Sequence, residues 1–124
     1  MFQADNEHMS ETKTKTINHV FFMHVQTTRP WLTLAPKERF AFLDDVTRPL
    51  LARHPKVSMR FFDSEGFSAE VTDVLMWETS EVMAYQAVVE ELRETMFWDG
   101  YFNVVQIVAS VENGYAIHYN VDAV

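Results

Sequence analysis

Cysteine is absent from this chain, and glycine and proline are scarce, at three and four residues of 124. Without cysteine there are no disulfides, thiolate nucleophiles or thiolate metal ligands. So little Gly and Pro leaves no room for long irregular loops, and three isolated glycines cannot form a phosphate-cradling loop. No Gly-x-Ser-x-Gly elbow presents a serine nucleophile. Basic residues are few as well: ten Lys and Arg stand against eighteen Asp and Glu, for a formal charge of -8. That balance argues against nucleic acid or an anionic membrane as partner. No apolar run approaches the roughly 18 residues that span a bilayer, and no secretory signal is visible. A cytoplasmic protein is the expectation.

What the chain does have is apolar bulk: 48% hydrophobic residues, 14% aromatic, ten of them Phe. Disorder is excluded, and the length suits one domain. The polar start, residues 1–16, reads as an expression scar joined to a natural start at Met9 and a disordered lead, leaving 17–124 as the single domain. The run Asn18 to Gln26 organises the rest. It alternates Phe21, Met23 and Val25 with Val20, Phe22, His24 and Gln26, so it is apolar on both faces and needs cover on both.

Pro36 and Glu38 suit the first turn of a helix that Pro55 ends, with a kink or tightened turn at Pro49. Trp31 sits in the connection before it. Val57 to Asp63 and Glu70 to Glu78 alternate as strands about a turn containing Gly66. Thr79-Ser80-Glu81 opens a second helix whose stripe is Val82, Tyr85, Val89, Leu92 and Met96. Asn103 to Glu112 reads as a fourth strand. Asn113-Gly114 then predicts a hairpin, with Tyr115 to Val121 as a short fifth strand. The result is α+β: a ferredoxin-like β-α-β-β-α-β(-β) chain with an antiparallel sheet and two helices on one face. The other face, with Phe22, Phe62, Leu75 and Val108, is too apolar to stay wet. Pairing with a second copy buries it, giving a homodimer and a dimeric α+β barrel.

Particular residues carry a family resemblance. Asp73-Val74-Leu75-Met76-Trp77-Glu78-Thr79, Tyr85, Leu92-Arg93-Glu94-Thr95, Phe97-Trp98, Tyr101-Phe102 and Glu112-Asn113-Gly114-Tyr115 resemble the darcynin family. So do Phe21-Phe22-Met23, Leu34-Ala35-Pro36 and Glu38-Arg39. The resemblance spans residues 17–121 and implies a small bacterial protein of the dimeric barrel class with no established role. It supplies no catalytic residues. Activities elsewhere in that class, among them cofactor-free monooxygenases and muconolactone-type isomerases, are analogies of fold alone.

A register centred on Gly66 places Arg60 opposite Asp73, Phe62 opposite Val71 and Ser58 opposite Leu75. His24 would then lie beside Asp73 or Leu75, with Gln106 on its other side. His24, Arg60, Asp73, Trp77, Phe22 and Gln106 would line one largely apolar wall. In the functional reading His24 is the acid/base group and Asp73 fixes its tautomer. Arg60 holds a carboxylate or enolate oxygen, while Trp77 and Phe22 stack on a planar ligand, with Gln106 beside them. In the structural reading Arg60 and Asp73 simply neutralise each other. No metal is expected, since His19, His24, His54 and His118 show no paired spacing, and no cofactor is implied. Two functions fit. One is a cofactor-free enzyme or binding protein for a planar hydrophobic or aromatic small molecule; the other is a non-catalytic dimeric carrier or structural protein with a filled barrel.

Overall fold

The computed structural model describes residues 16–124 and centres them on one strand, β1 (His19–Thr27). β1 is flanked by β3 (Asp73–Thr79) and β4 (Phe102–Val111), and β2 (Val57–Asp63) lies outside β3. The order β2-β3-β1-β4, antiparallel throughout, is the ferredoxin-like sheet. The expected N-terminal lead lies outside the described residues but for Thr16.

Helix α1 (Arg29–Thr33) follows β1, α2 (Pro36–Arg53) joins β1 to β2, and α3 (Val82–Leu92) joins β3 to β4. α2 starts where Pro36 presets the backbone, and Glu38 Oε1 accepts the Ala35 N–H at 2.8 Å. It runs on through Pro49. Glu91 of α3 accepts from Arg53 and His54 at the end of α2, and these partners hold its carboxyl below the ordinary range, His54 contributing most. Among the described residues no helix is long and apolar enough to cross a membrane.

One sheet face packs on α2 and α3. Phe21, Met23 and Val25 meet Leu75 and Trp77 there, with Leu50 from α2 and Tyr85, Val88 and Leu92 from α3. Each such side chain contributes roughly 1.5–3 kcal/mol on leaving water. Leu75 therefore belongs to this covered face, 1% exposed, and not to the open one where alternation had placed it. Trp31, expected in an open connection, is buried on α1 against Phe102 and Tyr101, with ring centroids at 4.8 and 5.4 Å. Phe97 stacks on Phe102 at 4.5 Å, so the aromatic link closes the core.

Two boundaries differ from the sequence expectation. β3 begins at Asp73 because residues 64–72 fold back on themselves: Ser64 carbonyl accepts from Phe67 and Ser68, and Ser68 Oγ accepts from Glu70 and Val71. The fifth strand is absent, and Gly114–Tyr119 forms the short helix α4. The type I′ hairpin that Asn-Gly favours needs left-handed backbone at both turn positions. Only Asn113 takes it, at φ 51°, while Gly114 does not, so the chain winds up instead of reversing.

Phe102 is fully buried and Phe67 is 96% exposed. Phe102→Ala should cost roughly 3–5 kcal/mol, and Phe67→Ala less than about 0.5 kcal/mol. Urea unfolding with an unchanged slope checks both; similar midpoints for the two variants would contradict the placement of the core.

Candidate functional site

The face away from the helices is built from three cross-strand rows. The first runs Phe62, Val74, His24, Gln106; the second Arg60, Met76, Phe22, Val108; the third Ser58, Glu78, Val20, Ser110. Residues paired across an antiparallel ladder point to the same side, so four of the expected site residues, His24, Arg60, Phe22 and Gln106, share this face. A bulge between His24 and Val25 leaves Val105 of β4 unpaired, directly beside His24 and Gln106.

Arg60 is the cation of this face. Its guanidinium stands 5.7 Å from the Phe62 ring, Nη2 lies 3.7 Å from Met76 Sδ, and Glu78 is 3.8 Å away. A hollow of about 280 Å³ lies alongside, bounded by Val20, Phe22, Arg60, Met76, Glu78, Ser110 and Glu112. Phe62 and Val108 remain 43% and 38% exposed at opposite edges of the sheet.

Asp73 and Trp77 are on the other side of the sheet. The turn between β2 and β3 centres on Ser68 rather than Gly66, so Arg60 sits opposite Met76 and not Asp73. A three-residue slip is odd, and an odd slip reverses the face of every side chain on the strand. Arg60 and Asp73 therefore form no cross-strand pair, and Asp73 is not positioned to orient His24. The central strands also run antiparallel, which sets His24 opposite Val74 and Val25 opposite Asp73. Trp77 is fully buried in an edge-type contact with Tyr85, and among the described residues neither its Nε1 nor the Tyr85 hydroxyl has a hydrogen-bond partner. Burial pushes the Tyr85 hydroxyl up to about 12.

Asp73 lies directly across from Asp63 and is only 5% exposed. Burial, first, and then a hydrogen bond shared with Asp63 raise its carboxyl from 3.8 to about 7, against an opposing contribution from Thr72. Both carboxyls line a cavity of about 290 Å³ between the sheet end and α1–α2, together with Glu65 and Arg39. Sequence reasoning missed this cavity because it depends on how α1 closes over the strand ends. The available signal was the acid at each end of the β2–β3 turn. Among the described residues no group of three or more His, Asp or Glu side chains is arranged to hold a metal ion.

A family model described as "Darcynin, domain of unknown function" matches residues 9–124. A darcynin homolog of Granulibacter bethesdensis is 44% identical over 104 residues, covering 83% of this chain and 84% of that protein. Another from Streptomyces avermitilis is 47% identical over 104 residues, covering 83% and 86%. Among solved structures, one described as a novel heme-binding protein from Thermus thermophilus superposes with a TM-score of 0.69 at 12% identity, over 86% of this chain and 45% of that one. A mutant chlorite dismutase from Candidatus Nitrospira defluvii gives 0.63 at 14% identity, over 85% and 44%. These two likenesses show the fold, and the chain spans less than half the length of either.

The Asp73 carboxyl fixes a pH dependence. Its folded value lies above its unfolded one, so between about 4 and 7 the folded chain keeps a proton that the unfolded chain has lost. Stability should fall as pH rises through that window and level off above about 7. Asp73→Asn should flatten this fall and gain relative to the parent at pH 8. Chemical denaturation at pH 4, 6 and 8 checks it; a parent whose stability rises from pH 4 to 7, with the variant following it, would contradict it.

Proposed function

This chain belongs to the darcynin family, a domain of unknown function, and from its geometry we propose that it works in the cytoplasm as a homodimer, sheet against sheet, around a small planar hydrophobic or aromatic ligand. The observation that carries this is the uncovered face. Phe62 and Val108 are exposed, and Phe22 and Val74 partly so, around a buried Met76, on a sheet whose other side packs against α2 and α3. A surface of that kind marks an interaction site, and a second copy offers the same surface by symmetry. In each solved neighbour more than half the chain lies outside the match, enough for a further unit of this size.

Within the interface Phe22 stacks on the ligand and Arg60 receives an anionic or enolate oxygen, with Glu78 setting the charge beside it. His24 and Gln106 are the neighbouring polar pair. In the enzymatic version His24 takes up or returns the proton, as an imidazole can near neutral pH. Asp73 and Trp77 have no part in this face. Heme is said of the Thermus thermophilus protein alone. Of the side chains that ligate haem iron, the hollow's lining offers Met76, whose sulfur already faces Arg60 Nη2.

Light scattering at micromolar concentration should return twice the 14.5 kDa chain mass, and Val108→Glu should return the monomer with unchanged far-UV circular dichroism. A monomeric parent would sink the proposal. Anilinonaphthalene sulfonate, a planar aromatic anion, should bind the parent and lose at least about tenfold in affinity in His24→Ala or Arg60→Ala, with Tm nearly unchanged. Equal dye affinity in parent and variants would assign the face to dimerisation alone.

A further inference from the structure

The cavity on the helix side is separate from the open face, and its lining breaks a rule the rest of the sheet obeys. Asp63 and Asp73 are direct cross-strand partners, and like charges in that position destabilise a sheet. One of them is 95% removed from solvent, at 5% exposure. Among the described residues the ion pairs are Arg48–Asp44, Arg53–Glu91, His54–Glu91, Lys56–Glu81 and Arg60–Glu78, so no basic side chain answers Asp63, Glu65 or Asp73. A buried carboxyl without a cation is costly unless something else supplies the charge or the proton.

The remainder of the cavity says what that something is. Trp31, Phe40, Phe61 and Phe102 form aromatic walls around about 290 Å³, with Phe40 74% exposed. The charged groups facing the cavity are Asp63 at the end of β2, Glu65 in the turn, Asp73 at the start of β3, and Arg39 from α2. Arg39 donates Nε to the Leu34 carbonyl at 3.1 Å and Nη2 to the Leu32 carbonyl at 3.4 Å, which ties it to the α1–α2 connection. Three carboxyls thus face one guanidinium already engaged with backbone. No metal-holding cluster is formed there, and aromatic faces attract organic cations.

We propose that this cavity binds a small hydrophobic amine in its ammonium form, the nitrogen seated on the Asp63–Asp73 pair and the hydrocarbon against the aromatic walls. An ammonium brings several N–H donors to two facing carboxylates, so both can ionise at once. The proton that the Asp73 carboxyl keeps in the empty cavity leaves to solvent on binding, its O–H bond breaking as the carboxylate forms, and no other covalent bond changes. Affinity must then rise as that proton becomes easier to remove, while the amine stays charged throughout, as alkyl amines do below about pH 9.

The test uses three probes of one shape on the full chain: phenethylamine, phenylethanol and phenylacetate, titrated at pH 6 and 8 by calorimetry and by the Trp31 indole signal. Phenethylamine should bind at least about tenfold more tightly than phenylethanol at pH 8, tighten from pH 6 to 8, and move the indole signal. Asp73→Asn, and separately Asp63→Asn, should erase that preference and the pH dependence while phenylethanol binding stays as it was. Equal affinity for amine and alcohol, a preference for phenylacetate, no binding of any probe, or an amine preference that survives both variants would each overturn the proposal.

Discussion

The register of β1 between its two neighbours is the constraint on which the rest of the structure depends. His24 opposite Val74 and Gln106, with Val25 opposite Asp73, fixes which of two apolar sets goes under the helices. Phe21, Met23 and Val25 join Leu75 and Trp77 in a core with almost no solvent access, and Val20, Phe22 and Met76 are left to the open side. A slip of one residue would exchange the two sets. It would carry Phe22 and His24 under the helices and Phe21, Met23 and Val25 to the open side. The helix face, the open face and the cavity at the strand ends are therefore three consequences of one alignment.

Much of that alignment could be read from residue order, and the reasons are local. Val57 to Asp63 is a strand with those limits because its alternation is clean and Pro55 precedes it. α2 starts at Pro36 because the proline ring and Glu38 both favour a first turn there. The face of β3 was harder. Leu75 and Trp77 are no more apolar than Val74 and Met76, so composition does not choose between them. The choice falls to the turn, where Ser64 and Ser68 gather the chain by hydrogen bonds that Gly66 alone does not announce. That one displaced centre separated Asp73 and Trp77 from His24, Arg60, Phe22 and Gln106. Asn113-Gly114 misled for a related reason: the dipeptide permits a hairpin, and the backbone actually adopted at Gly114 decides against it.

The two faces of the sheet divide the chemistry between them. The open side is largely apolar, with Arg60 held near Glu78 at its margin and Glu112 lining the same hollow. The covered side ends in carboxyls that oppose each other across two strands, one of them raised to about 7 by its loss of water. Places where a fold tolerates a locally unfavourable pair are where function is expected to reside. Here burial, and then the Asp63 carboxyl across the ladder, hold the Asp73 carboxyl well above its ordinary range.

The central claim is that the open face belongs to a second copy of this chain. Isotope-filtered NOE spectroscopy on a mixture of labelled and unlabelled protein measures it without altering a residue. Cross-peaks between chains should connect the methyl groups of Val74, Met76 and Val108 with the rings of Phe22 and Phe62. Their absence, or intermolecular cross-peaks confined to α2, α3 or α4, would contradict the account.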